Sequence, residues 1–351
     1  MKRLFITLLC ILFLLPSGCA KKGLKRFQAE FLTLFDTVTI IVGYAENKEE
    51  FTALAEQIYD EFETYHRLFD IYNDYEGLSN IKTINDNAGT APVKVDGRII
   101  SLLKMAKEQY AKTGGAVNVA FGAVLGIWHD YREAGVSDPE HAELPPMEQL
   151  RSASGHTDID KLIIDEEALT VYLSDPLMRL DVGAVAKGYA VEMTARHFES
   201  LGVRNLLLSV GGNVRAIGGK PADKDGPEPL WIIGIQNPDK SSAEAELLQV
   251  AVNGLSVVSS GAYERYYTVD NTRYHHIIDH NTLMPSRFYS AVTVICPDSG
   301  VADALSTAVF NMPLPEGRAF IESLDNTEVL WVLTDGTIQY TSGFEAYIFS
   351  A

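Results

Sequence analysis

Between Arg204 and Cys296 the chain repeats short apolar runs rich in Val, Ile, Tyr and Thr, broken by Gly, Asn, Asp or Pro. The runs at 204–210, 230–236, 247–252, 256–259, 265–269, 274–278 and 289–296 each predict a strand. No helical period separates them, so they do not form the strand-helix alternation that a doubly wound parallel sheet requires. Helical patterns occur elsewhere and irregularly. Residues 48–69 place Phe51, Leu54, Ala55, Ile58, Phe62, Tyr65 and Phe69 on one face, and a second helix over 97–112 stops at Gly114 and Gly115. Strands grouped together with scattered helices predict an α+β fold with mixed or antiparallel sheets. Phe31 to Tyr44 reads as one strand or a hairpin, 161–173 as a hairpin about a polar DEE turn, and further strands fall near 329–333 and 338–340. Ala116 to Tyr131 mixes strand and helix signals without a decidable period.

The N-terminus has the build of a leader. Lys2 and Arg3 precede an apolar run from Leu4 to Leu15, which is short for a permanent membrane span. It ends in LLPSGC, which resembles a lipobox, so residues 1–18 read as a lipoprotein signal and Cys19 as the lipidated first residue of the mature chain. Residues 19–30 then read as the lipid-bearing cysteine and a tether, and 31–351 as one large domain or two interwoven lobes, with no Pro/Gly/Ser-rich linker or internal repeat inside it. The expected location is the membrane's extracytoplasmic face, or a periplasm. With Cys10 and Cys19 so assigned, Cys296 is left alone and a disulfide framework is excluded. A net charge of −18 argues against nucleic acid as a partner.

VADALSTAVFNM, residues 301–312, reads as a helix with Asp303 in its first turn and Ser306 and Thr307 in the next. An acid at i with hydroxyls at i+3 and i+4 lies on one face, where three oxygens can meet a hard cation such as Mg²⁺. The plainer explanation is an acid offsetting the helix dipole and hydroxyls bonding back to the preceding turn. In SVGGN, Gly211 and Gly212 suit either a close backbone approach to an anion or a tight turn needing positive φ. In DVGAVAKG, a short strand reaching Asp181 and Gly183 starts a helix that carries Lys187 and ends at Gly202. A phosphate meets such helix N-termini readily, although the spacing is neither a Walker nor a Rossmann pattern. HHIID follows a hairpin turning at Asp270 and Asn271, and strand alternation puts His275 and His276 on opposite sides.

These stretches together resemble the ApbE family of FAD:protein FMN transferases. The pieces, in family order, are FDT, LFDIYN, GGAVNVAFGAVLGIW, LDVGAVAKGYA, SVGGNVRAIG, SSGAYERYYTVDNTRYHHIID and VADALSTAVF, and they span nearly all of the mature chain. The resemblance implies an ApbE-like fold and a Mg²⁺-dependent enzyme. It would take FAD as substrate and move its FMN half onto a Ser or Thr hydroxyl of an acceptor protein, releasing AMP. By the same resemblance, Asp303 and Thr307 hold the metal through side chains and Ala184 through its carbonyl, with Ser306 as a further hydroxyl. Asp181 and Lys187 contact FAD, Tyr72, Ala116, Val117, Asn118 and Ile277 surround it, and Gly211 and Gly212 let it approach the sheet. His276 is the residue nearest the transferred phosphoryl group, and either His276 or Asp279 takes the acceptor's proton. The chain departs from the family where Val117 and Asn118 replace Phe and Asp, and where His280 and Leu283 replace Pro and Gly. Two other functions use the same features: a Mg²⁺-dependent FAD pyrophosphatase releasing FMN and AMP, and a lipoprotein that binds flavin or another solute without chemistry.

Overall fold

The computed structural model describes residues 23–222 and 226–350; the leader and Cys19 lie outside the described residues. An eight-stranded sheet forms its frame. Its strands lie side by side in chain order: Lys25–Leu34, Thr37–Ala45, Leu206–Val210, Asn213–Ile217, Ser256–Gly261, Tyr289–Cys296, Glu328–Leu333 and Ile338–Tyr340. Every neighbouring pair is antiparallel.

Alternating side chains feed two cores, as a period of two demands. Val258, Val292, Val294, Val329 and Trp331 face a large core shared with helices Lys48–Phe69, Gly97–Lys112, Ala186–Ser200 and Ser299–Phe310. Val257, Ala291, Ile295, Leu330 and Val332 face a smaller core, covered by the hairpin of Trp231–Gln236 and Glu246–Val252. Strand Tyr289–Cys296 is buried almost throughout, which explains its unbroken apolar spelling. Burying each of its Val and Ile side chains contributes roughly 1.5–3 kcal/mol. A third cluster joins helix Gly122–Ser137 to the hairpin Tyr266–Val269 and Thr272–His275 through Val124, Trp128, Tyr267, Ile278 and Leu283.

The α+β class and both long helices are as expected, and several boundaries move. The first strand starts at Lys25, ahead of the expected Phe31, and buries Phe27 and Ala29, so residues from Lys25 on are sheet and not tether. The 31–44 stretch holds the end of the first strand, a turn at Phe35 and Asp36, both at positive φ, and the second strand, so it is a hairpin whose first strand begins further back. Ala116 to Phe121 is irregular and the helix begins at Gly122. The expected strand to Asp181 is absent: Asn85 occupies both backbone groups of Leu180 (Leu180 N–H to Oδ1 2.7 Å, Nδ2 to Leu180 O 3.0 Å), leaving only a bridge between Phe121 and Arg179. A side chain there does what a neighbouring strand would have done.

Candidate functional site

Helices Ala186–Ser200 and Ser299–Phe310 cross with almost no space between them. A Cβ at Gly188 would sit 2.3 Å from the Ser299 carbonyl oxygen and 2.5 Å from the Asp303 Cβ, so only glycine allows this approach. The Gly188 N–H, which would ordinarily bond four residues back, donates instead to Asp303 Oδ2 at 2.9 Å. Among the described residues no N–H then reaches the Ala184 carbonyl. One turn further along, the buried Glu192 carboxylate accepts from Ser299 N–H (2.9 Å), Arg196 Nε (2.8 Å) and Arg215 Nε (3.1 Å). Another turn on, Arg196 donates to Asp298, the N-cap whose Oδ1 accepts from Val301 N–H. Three successive turns of one helix therefore fix the start of the other.

The metal-helix expectation needs one correction. The helix begins at Ser299, so Asp303 lies in the second turn, and no acid occupies the first. Dipole compensation falls off within the first turn and is the weaker explanation for this carboxylate. Burial pushes the Asp303 carboxyl above its usual range, while Lys187, the Gly188 N–H and the Asn213 side chain oppose that shift. Lys187 Nζ stands 4.0 Å from Oδ2. Ser306 is fully buried and engaged: its hydroxyl donates to the Asp303 carbonyl (2.9 Å) and lies 2.7 Å from the Ser260 hydroxyl. Thr307 is half-buried beside it.

Beyond Lys187 the site opens into a cluster of charges. Asp181 accepts the Gly183 N–H at 2.8 Å in a tight Asx turn, and Lys187 Nζ reaches the Gly183 carbonyl at 3.3 Å. Burial raises the Asp181 carboxyl, against the pull of His129, Arg265 and Lys187. Tyr72 is 53% exposed and stacks on the His129 ring, with centroids 5.0 Å apart. Burial of its hydroxyl end and the nearby Asp181 push the Tyr72 phenol up to about 12.

The adjacent histidines separate by their hydrogen bonds. His275 Nε2 donates to the Ser286 carbonyl (2.7 Å) and Nδ1 accepts the Ile277 N–H (3.2 Å), so both nitrogens are committed. His276 Nδ1 meets the Arg265 carbonyl at 3.2 Å and must carry the proton, which leaves Nε2 as an open lone pair. Burial first, then Arg265, pushes the His276 imidazole down to about 3, so it is neutral. Strand pairing ends at His275, so His276 belongs to the following loop and not to the strand. Asp279 is buried and tied into that loop: its Oδ1 accepts the Asn281 N–H at 2.9 Å, and its carbonyl accepts the Leu283 N–H.

A cavity of about 480 Å³ flanks the site, lined by Tyr110, Gly115, Asn118, Phe121, Thr157 and His280, among others. Both ends of the Asn118 amide are used, by the Thr157 carbonyl (2.8 Å) and the Ala120 N–H (2.9 Å). Val117 and Ile277 point into the main core, Ala116 is half-buried, and Val119 holds the Asp181 N–H through its carbonyl. Gly211 and Gly212, at φ of 50° and 88°, form the two-residue turn between Leu206–Val210 and Asn213–Ile217. A Cβ on Gly211 would strike the Thr37 side chain at 2.6 Å. The turn and the neighbouring strand account for that glycine.

The chain matches the ApbE family over residues 35–331. It belongs to the ApbE family. It is 30% identical over 284 residues to an FAD:protein FMN transferase of Klebsiella pneumoniae (strain 342), covering 79% of this chain and 84% of the relative. A second FAD:protein FMN transferase, from Treponema pallidum (strain Nichols), is 28% identical over 346 residues, with 96% and 92% covered. In three dimensions the chain superposes on the ApbE protein of Thermotoga maritima MSB8 with a TM-score of 0.79 at 28% identity, covering 93% of this chain and all of the other. The ApbE flavin transferase of Vibrio cholerae, at 22% identity and a TM-score of 0.71, shares the fold.

In this ApbE chain the structure brings Ala184, Lys187, Asp303, Ser306 and Thr307 together where two helices cross over the middle strands of the sheet, with Asp181, Tyr72 and His276 grouped around Arg265 beside them. It also adds residues that sequence reasoning missed. Arg265 acts electrostatically on Asp181, Tyr72 and His276. Arg132 donates to His129 Nδ1 at 2.9 Å and so steadies the ring under Tyr72. Glu192 and Ser260 hold the two helices and Ser306. None of these follows a spacing rule, and the one local signal was Glu192 falling on a helix face otherwise filled by small and apolar residues.

Proposed function

We infer that this chain is an enzyme that transfers FMN from FAD to a Ser or Thr hydroxyl of an acceptor protein, in a Mg²⁺-dependent reaction that releases AMP. The observation that carries the reading is the paired diversion at the helix crossing. The Gly188 N–H goes to Asp303, and the Ala184 carbonyl is thereby freed beside it. A buried carboxylate, a bare carbonyl and the Thr307 hydroxyl are the hard oxygen donors that Mg²⁺ selects. Among the described residues no group of three or more His, Cys, Asp or Glu is arranged to hold a metal. A site with one carboxylate suits Mg²⁺, which commonly completes its shell with water and substrate phosphates. When bound there the ion neutralises diphosphate charge and steadies the departing AMP.

The chain's own residues supply the rest. Lys187, Arg265 and the Ala186–Ser200 helix start draw the anionic diphosphate in, and Tyr72 offers a ring for stacking. The acceptor oxygen forms a bond to the FMN phosphorus, the bond from that phosphorus to the AMP oxygen breaks, and the hydroxyl proton passes to His276 Nε2. His276 is preferred to Asp279 as the base because its lone pair is open, whereas Asp279 is bound into its loop. The cavity beside Asn118 accommodates part of the dinucleotide.

The deciding experiment incubates the protein with FAD, Mg²⁺ and extracts of the host's secreted proteins, then reads flavin fluorescence in a denaturing gel and sequences the labelled peptide. A fluorescent band that disappears with EDTA is expected. FMN found only in solution identifies a pyrophosphatase, and FAD left intact identifies a binding protein.

The protein works from the membrane surface, held by lipid on Cys19 through the short segment before Lys25. Cys19→Ser is expected to yield an unprocessed or soluble form, because stable anchoring needs two or more acyl chains. Membrane fractionation with detergent partitioning checks it, and an unchanged distribution removes the anchor.

A further inference from the structure

Asn213 is the first residue of its strand after the Gly211–Gly212 turn, and its side chain answers to nothing in the sheet. Its cross-strand partners Val210 and Val258 both face the main core, so Asn213 shares their side, toward helix Ser299–Phe310. It is 1% exposed. Two residues beyond its partner Val258, the Ser260 hydroxyl meets Ser306. The Asn213 amide lies against the Asp303 carboxylate. Its nitrogen end therefore faces Asp303, since an oxygen there would repel the carboxylate. The oxygen is thereby fixed at the other end, and Oδ1 is buried without any hydrogen-bond partner.

Buried amide oxygens rarely go unpaired in folded proteins. This one belongs to a side chain already committed to the carboxylate of the proposed metal site, and an amide oxygen is a hard donor that suits Mg²⁺ or Mn²⁺. We propose that Asn213 is a further residue of the cation site, its nitrogen holding Asp303 and its Oδ1 donating to the coordination sphere of the divalent ion. The proposal rests on the Mg²⁺ reading given above. It assigns the Gly211–Gly212 turn a role in the site: the turn sets where this strand begins and hence where its first side chain lies.

The test titrates Mn²⁺ into the whole protein, without FAD, and follows free Mn²⁺ by electron paramagnetic resonance. Wild type is compared with Asp303→Asn, Asn213→Leu and Asn213→Asp. Asn213→Leu keeps the approximate volume and removes both polar ends; a loss of Mn²⁺ affinity of about tenfold or more is expected. Asn213→Asp keeps the shape and sets a second carboxylate against Asp303, a repulsion that a bound cation relieves, so it should bind Mn²⁺ more tightly than wild type. If Asp303→Asn loses Mn²⁺ while both Asn213 variants match wild type, Asn213 is a structural residue and the proposal is overturned alone. If Asp303→Asn itself binds like wild type, the cation site is elsewhere and the proposal falls with it. Should Asn213→Leu fail to fold, Asn213→Asp decides: affinity above that of wild type supports the role, and affinity equal to or below it overturns the proposal.

Discussion

Asp303→Asn is expected to leave a folded protein that transfers flavin at least ~10³-fold more slowly, the scale of losing the several kcal/mol that a metal supplies to a charged transition state. Asn keeps the volume and one oxygen, so it can still meet the Gly188 N–H and the helix crossing survives. What it removes is the charge a hard divalent ion requires. Had Asp303 served only the helix dipole, the substitution would cost about 0.3–1 kcal/mol of stability and leave the rate alone. Its place in the second turn already argues against that. Thr307→Val, which keeps the β-branched shape and deletes the hydroxyl, should also impair turnover. Single-turnover rates across a Mg²⁺ titration check both, with partial rescue of Asp303→Asn by high Mg²⁺ or Mn²⁺. Wild-type rates for the pair at trace Mg²⁺ would move the metal elsewhere.

The second large effect is at His276. His276→Ala is expected to slow transfer by roughly 10²–10⁴-fold with little change in the FAD dissociation constant, because a proton acceptor contributes in the transition state and not in binding. The pH dependence follows from its surroundings. Burial and the positive charge of Arg265 favour the neutral ring, so the free enzyme's His276 gains a proton only near pH 3, far below the usual 6.5. Across pH 5 to 8 it is already the base, and kcat/KM should show no acid limb from this residue. A bound diphosphate brings negative charge and raises the imidazole's pKa, so any acid limb belongs in kcat, and His276→Ala removes it. Equal losses in FAD affinity and rate would make His276 a binding residue.

Much of the architecture could be read from local pattern because the pattern and the packing agree. The helix over 48–69 has its apolar stripe, an Asn47 cap accepting the Glu50 N–H and acids in the first turn, so its limits match expectation. Where long-range contacts decide, local reading fails. The stretch before Asp181 spells a strand, yet the Asn85 amide, far away in sequence, takes the backbone groups a neighbouring strand would have used. Residues 299 and 300 look like chain entry, yet Asp298 caps the helix and Glu192 holds the Ser299 N–H, extending it back by two residues. The candidate site was legible through motif resemblance and opaque through chemistry alone. Its decisive event, one backbone N–H turning from Ala184 to Asp303, depends on a helix crossing that no single segment encodes.

The sheet's plain order also dictates how the chain must assemble. Strand Thr37–Ala45 lies next to Leu206–Val210, yet between them the polypeptide departs at Ala45 and builds the first helices and the small sheet before returning. Closing so long an excursion is entropically costly, and such non-local pairings slow folding. Until it closes, the hairpin of Lys25–Leu34 and Thr37–Ala45 carries an open row of amide and carbonyl groups along an apolar strand, the kind of template on which chains aggregate. During synthesis the N-terminal hairpin must therefore wait for more than half of the chain to emerge before its partner exists. Refolding at high concentration should lose protein to aggregates through this strand, and a peptide copying residues 206–210 should compete for it.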